Sequence, residues 1–200
     1  MYVPSEPPDG TKPTPYTEDD PVHPINVYGA SKEAGERALR EIWSRHVILR
    51  TAWLYSPFGQ NFVKTMLRLA RERDSVRVVA DQYGCPTAAG DLAEAILKIV
   101  RRVGHPAEPP WGTYHYCGGG STTWYGLAEA VMEMAAPALG RRVEVIPIAT
   151  ADYPTPARRP ANSRLDCTRI AERMGIRPRP WRESLADVIA ELQRDAPVPR

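Results

Sequence analysis

Apolar residues recur along this chain with two periods, and the changes from one to the other mark out its elements. From Asn26 the spacing is helical, with Ala30, Ala34, Ala38, Leu39 and Ile42 recurring on one side until about Arg45. HVILRTAW then reads as a short buried strand. NFVKTMLRLARER reads as an amphipathic helix with Phe62, Met66, Leu69 and Ala70 on one side. VRVVAD predicts a second strand, and AGDLAEAILKIVRRV a strong helix stopped by Gly104 and Pro106. GTYHYCG predicts a strand between glycines. TTWYGLAEAVMEMAA predicts a helix with Thr122 or Thr123 as its N-cap, and RRVEVIPI a further strand. A loop, ADYPTPARRPANSRL, leads to two short helices near 167–173 and 181–193. Residues 1–24 hold seven of the 21 prolines and show no period, which predicts an extended loop.

Strands alternating with helices of roughly 10–16 residues form the pattern of an α/β protein with a largely parallel sheet. In such sheets ligands sit at the carboxyl ends of the strands, and a dinucleotide needs a Gly-rich first turn. No GxGxxG or GxxGxxG falls between a strand and a helix here. Gly118, Gly119 and Gly120 follow a strand in the last third of the chain. As a phosphate cradle they are weak; as a flexible strand-to-helix turn they are ordinary.

Composition narrows the class without naming it. The 200 residues, 42% apolar and 25% charged, suit one sizeable domain, or one with a small appendage. A formal net charge of +2 gives no reason to expect a nucleic acid polymer or an anionic membrane as the main partner. No apolar run approaches the roughly 18 residues that span a bilayer. The Pro-rich, acidic start MYVPSEPPDG is unlike a secretion signal. Cys85, Cys117 and Cys167 are odd in number and widely spaced, with no CxxC. That argues against a disulfide framework or a zinc site, and for reduced thiols in a cytoplasmic protein.

Candidate chemistry starts at PINVYGASKEAGERAL, where Tyr28 and Lys32 stand one helical turn apart on one face. A phenol with a pKa of about 10 exchanges protons sluggishly at neutral pH. An ammonium within several ångströms of a phenol favours the phenolate, and it can also donate to the ribose hydroxyls of a cofactor. Alone, YxxxK weighs little: nine tyrosines and four lysines would produce it by chance in about one such chain in five. The plainer alternative is a tyrosine packed at a helix entrance and a solvated lysine.

The surroundings weigh more. Tyr16, Glu18, Asp20, Pro24, Tyr28, Gly29, Ser31, Lys32, Gly35 and Glu36 fit YxExDxxxPxxxYGxSKxxGE. RTAWLYSPFGQNFVKTMLRLA, VVADQYGCPTAAGDLA, GTYHYCGGGSTTWYGLAEAV and RRPANSRLD follow in order. From about Asp9 to Leu192 the chain resembles the dTDP-4-dehydrorhamnose reductase family, a branch of the extended short-chain dehydrogenases. The resemblance implies the C-terminal part of a Rossmann-like parallel sheet plus a small mixed α/β substrate-binding subdomain. Residues 1–105 would be the remainder of the dinucleotide-binding domain and 106–200 the substrate-binding region, with some segments interleaved. It implies an oxidoreductase that uses NADPH or NADH to reduce the 4-keto group of dTDP-4-dehydro-β-L-rhamnose to dTDP-L-rhamnose. A cytoplasmic location, a dTDP-sugar partner and a homodimer go with it.

Carried over residue by residue, the resemblance makes Tyr28 the general acid that protonates the C4 oxygen. Lys32 becomes its electrostatic partner and a ligand of the nicotinamide ribose. Trp53 would lie against the nucleotide sugar, a task that suits a large flat indole; the alternative is a core tryptophan under a loop. Asn61 and Phe62 would begin a helix near the substrate, and Asp81-Gln82, Gly84 and Pro86-Thr87 would shape its pocket. Arg159, Asn162 and Ser163 either meet the diphosphate, for which an arginine fork is apt, or pin the C-terminal segment.

Three departures stand against the match. The family begins about 100 residues earlier, with the Gly-rich turn that holds adenosine and pyrophosphate. Pro4, which has neither hydroxyl nor N–H, stands where the family has a Ser or Thr that bonds the substrate carbonyl. Gly90 stands where a family carboxylate contributes to a dimer-interface metal site, so no metal is expected. The chain therefore reads as the C-terminal two-thirds of a reductase, inactive by itself. The alternative is a non-catalytic, sugar-nucleotide-binding or regulatory relative similar to the methionine adenosyltransferase β subunit.

Overall fold

A computed structural model describes residues 12–104, 110–156 and 158–194, so Pro4 and Pro106 lie outside the described residues. Three helices start where a side chain takes up a free amide. Asn26 caps α1 (Val27–Ile42) by accepting from the Gly29 amide, and Asn61 caps α2 (Phe62–Glu72) by accepting from Lys64. Thr123 does the same for α4 (Trp124–Leu139), accepting from Gly126. Between them α3 runs over Ala89–Val103, and α5 (Thr168–Met174) and α6 (Trp181–Arg194) follow. Gly140 and Gly175, at φ of 66° and 69°, end α4 and α5 in the left-handed conformation that a side chain would strain.

The strands pair two by two. β1 (Val47–Arg50) lies parallel to β6 (Gly112–His115), and β3 (Ser75–Val79) parallel to β8 (Glu144–Ile148). β2 (Leu54–Tyr55) is parallel to β5 (Thr87–Ala88), while β4 (Tyr83–Gly84) is antiparallel to β7 (Thr122–Thr123). The α/β expectation holds, with three parallel ladders and one antiparallel among the described residues. The two-residue strands escape the sequence pattern because two residues carry no period.

Two apolar clusters form between these layers. Val63, Met66 and Ala70 of α2 pack with Leu127 and Val131 of α4 and Leu185 and Ile189 of α6. Ala95 and Ile99 of α3 pack with Tyr114 on β6, Tyr116 just past it, Ile170 of α5, and Ile176. α1 behaves differently: among its residues only Gly29 is buried, and Ala30, Ala34, Ala38, Leu39 and Ile42 are exposed. Polar ties anchor it instead. Among the described residues no helix is long and apolar enough to cross a membrane.

Candidate functional site

Tyr28 and Lys32 stand at the start of α1, both exposed, with the Lys32 Nζ 5.3 Å from the centre of the Tyr28 ring. Asn26 fixes this end of the helix by donating to the Arg158 carbonyl at 3.1 Å. One turn beyond Lys32, the Glu36 carboxylate accepts from Arg50 Nε at 3.0 Å and Nη2 at 2.8 Å. Arg50, buried at the end of β1, also meets His115 Nε2 across 3.5 Å. His115 Nδ1 lies 3.1 Å from the Tyr16 carbonyl, and its backbone N–H donates to Glu18 Oε1 at 2.8 Å. Burial, and then the Arg50 charge, draw the His115 pKa down to about 4. The imidazole is therefore neutral, with Nδ1–H donating to Tyr16 and Nε2 turned to the guanidinium. Three motif residues, Tyr16, Glu18 and Glu36, thus act as the frame that holds the Tyr28 helix.

A cleft of about 290 Å³ opens beside Tyr28, past the carboxyl ends of β1 and β3. Trp53, Gln82, Trp124, Arg158 and Arg159 line it, with Asn26 and Ser163 at its edge. The Trp53 ring stacks on Trp124 with centroids 3.6 Å apart and planes 8° from parallel, and Phe62 tilts against the second indole. Behind Trp53 lies Gly84, where a Cβ would overlap the indole. Trp53 has φ 47°, a strained value for a bulky residue. Its Nε1 is buried on the Gly84 side with no hydrogen-bond partner among the described residues. Gln82, Trp124 and Arg159 are also walls of a neighbouring cavity of about 630 Å³ against α2, β3 and β8.

The structure thus brings Tyr28, Trp53 and Arg159 to one cleft, with Lys32 beside Tyr28. Asn61 and Asn162 are engaged elsewhere. The Asn61 amide caps α2 and donates to the Ser56 carbonyl at 2.7 Å. Buried Asn162 donates to the carbonyls of Lys12 and Thr14 and accepts from Arg164. Arg158, Asn26 and Trp124 are cleft residues that sequence reasoning passed over. Trp124 had a usable signal, a large aromatic directly after a helix cap at the strand ends, but helical period alone assigns it to the core. Of the glycine run, the Gly118 amide donates to Thr87 Oγ1 and the Gly119 amide to the Arg179 carbonyl. A Cβ on Gly118 would overlap the Pro86 carbonyl, so this turn serves close packing.

A helix-borne tyrosine–lysine pair facing a cleft at the strand ends of an α/β fold defines the layout of the extended short-chain dehydrogenases. Residues 8–194 match the family described as the RmlD substrate binding domain, and the chain belongs to the dTDP-4-dehydrorhamnose reductase family. It is 48% identical over 185 residues to the dTDP-4-dehydrorhamnose reductase of Sinorhizobium fredii, covering 92% of this chain and 62% of the relative. It is also similar to the solved dTDP-4-dehydrorhamnose reductase of Clostridium acetobutylicum, at 37% identity and a TM-score of 0.84. The Bacillus anthracis reductase, solved in complex with NADP, matches at 36% and 0.81. Both alignments cover 92% of this chain and 62% of the solved chain, so this chain spans about three-fifths of the length of these relatives.

Proposed function

We propose that the chain supplies the substrate-binding and proton-donating part of a nucleotide-sugar ketoreductase. The reaction is NADPH- or NADH-dependent reduction of the 4-keto group of dTDP-4-dehydro-β-L-rhamnose to dTDP-L-rhamnose. The observation that carries this reading is the placement of Tyr28, with Lys32 beside it, on the rim of the cleft lined by Trp53 and Arg159. The Tyr28 hydroxyl donates the proton to the C4 oxygen, and the Lys32 ammonium stands beside its ring as a hydrogen-bond donor. Arg158 and Arg159 offer guanidinium forks to the diphosphate, and the Trp53 indole offers an apolar wall to the sugar nucleotide. The nicotinamide group supplies the hydride. Lys32 would hold its ribose. With the Gly118 and Gly119 amides engaged, this reading assigns adenosine and pyrophosphate to the part of the longer relatives that this chain does not match. A dTDP sugar as partner, a cytoplasmic location and a homodimer belong to the same proposal.

The test joins this chain to the first third of a family relative and follows NADPH oxidation with the keto sugar. Tyr28→Phe is expected to lower turnover about 100-fold or more, with dTDP-sugar affinity retained. Unchanged turnover would remove Tyr28 from its role. A second, binding-only reading is favoured by the engaged glycine amides. Turnover by the joined chain separates the two, because keto-sugar reduction that depends on Tyr28 contradicts a sugar-nucleotide-binding module.

A further inference from the structure

Three cysteines far apart in the sequence converge in the fold. Cys85 lies in the turn between β4 and β5, Cys117 just past β6, and Cys167 at the entrance to α5. The Cys117 Sγ stands 3.5 Å from the Cys167 Sγ, and the Cys117 thiol donates to the Leu165 carbonyl at 3.7 Å. That sulfur–sulfur distance is about 1.5 Å beyond a disulfide bond, a gap that small side-chain rotations can close. All three cysteines line one cavity of about 280 Å³, together with Arg164 and Asp166. Cys167 also lines a second opening, beside Thr168 and Pro178. Cys85 and Cys117 are buried and Cys167 is partly exposed, so an oxidant arriving from solvent meets Cys167 first.

We propose that Cys167 and Cys117 form an oxidisable dithiol, a modification site that closes to a disulfide when the chain meets hydrogen peroxide. The Cys167 thiolate attacks one peroxide oxygen, forming an S–O bond and breaking the O–O bond. The departing hydroxide takes up the thiol proton as water. The Cys117 sulfur then displaces the hydroxyl from the Cys167 sulfenic acid, the S–S bond forms, and the Cys117 proton leaves with that hydroxyl as a second water. Two thiols give up two electrons, and one peroxide is reduced to two waters.

The order of events follows from the surroundings. Hydrogen bonding with the Cys167 and Cys85 thiols, and then burial, hold the Cys117 thiol protonated well above its usual range. That counts against Cys117 as the first nucleophile, while Cys85, whose thiol the hydrogen bond with Cys117 makes more acidic, is buried away from an oxidant in solvent. Among the described residues no group of three His, Cys, Asp or Glu side chains is placed to hold a metal ion, so the geometry favours pair chemistry over a thiolate metal site. The bond would tie the end of β6 to the entrance of α5. That entrance directly follows the 158–166 segment carrying Arg158, Arg159 and Ser163 to the cleft.

The test oxidises the reduced full chain with hydrogen peroxide at neutral pH, blocks the remaining thiols and maps the linked peptides by mass spectrometry. The same treatment of the urea-denatured chain is the control. The native chain is expected to lose two thiols, yield the Cys117–Cys167 pair, leave Cys85 open to alkylation, and recover both thiols in dithiothreitol. Cys167→Ser is expected to protect Cys117, while Cys85→Ser leaves the pair intact. Four results would overturn the proposal: a dominant Cys85–Cys117 pair, Cys167 advancing to sulfinic acid beside a free Cys117, disulfides between chains, or equal pair yields from native and denatured protein.

Discussion

At His115 a buried imidazole lies between the Tyr16 carbonyl and the Arg50 guanidinium, with a pKa drawn down to about 4 by burial and that charge. An unfolded histidine titrates near 6.5, so between about pH 4 and 6.5 the unfolded chain binds a proton that the folded chain refuses. Stability from this residue is therefore complete above about pH 6.5 and lost as pH falls towards 4, by at most about 3 kcal/mol. Asp20, Asp81 and Asp166 act in a lower window. Hydrogen bonds hold each carboxyl below its usual value, so their contribution is lost only as pH falls below about 4. Urea unfolding at pH 7 and pH 4.5 should show the decline, and His115→Gln should flatten it; equal slopes in the two proteins would contradict the assignment. Gly84 makes a second prediction at this scale. Its lack of a side chain makes room for Trp53 against Trp124, so Gly84→Ala should cost roughly 1–3 kcal/mol. It should also diminish the near-ultraviolet circular dichroism of the stacked indoles and weaken dTDP-sugar binding. An unchanged spectrum would mean that the stack does not depend on this contact.

Helix α1 carries the tyrosine–lysine pair and yet buries only Gly29, so polar ties rather than apolar packing hold it in place. The strongest of these joins Glu36 to buried Arg50. Removing the carboxylate takes an ion pair and its hydrogen bonds from a buried guanidinium, a change that costs up to about 3–5 kcal/mol at comparable sites. Glu36→Ala should therefore lower stability by a comparable amount and speed amide exchange in α1 well before α4, whose Leu127, Ala128 and Val131 lie in the larger core. Equal acceleration in both helices would show that α1 is not tethered in this way. The same helix shows where sequence reasoning reaches and where it stops. Capping residues and apolar period place α2 and α4 closely, because those helices bury the residues that carry the period, whereas α3 buries only Ala95 and Ile99. In α1 the period is present but nothing among the described residues covers it. Tyr28 and Lys32 are legible from their motif, whereas Arg158 and Trp124 join them only through tertiary contacts. Asn61 shows the ambiguity in reverse: an asparagine directly before a helix is first of all a cap, and its amide is engaged as one. The convergence of three cysteines spread over more than 80 residues has no local signal at all.

At the scale of the molecule, most of the large apolar side chains left in water among the described residues lie on or beside two helices. Val27 is 86% exposed and Ile42 81% on α1, with Leu39 beside them and Trp43 at the helix end; Ile96, Leu97 and Val100 are exposed on α3. Soluble monomers rarely leave so many large apolar groups uncovered unless those groups meet another surface. The relatives this chain matches are longer, since the shared part is 62% of their length, and they have further chain with which to cover such faces. Removing a Val, Leu or Ile side chain from water contributes about 1.5–3 kcal/mol when complete, and these are already partly shielded. The six of them with Trp43 are together comparable to the roughly 4–15 kcal/mol that association costs, which points to weak and reversible contacts rather than a tight complex. The 200-residue chain should therefore bind anilinonaphthalene sulfonate and sediment faster as its concentration rises into the micromolar range. Ile42→Lys with Trp43→Lys should reduce both effects without lowering the helix content seen by circular dichroism. Joining the chain to the first third of a family relative should suppress dye binding further if the additional chain covers these faces. Dye binding that survives both changes would place the sticky surface elsewhere, and the neighbouring cavity of about 630 Å³ would be the next region to probe.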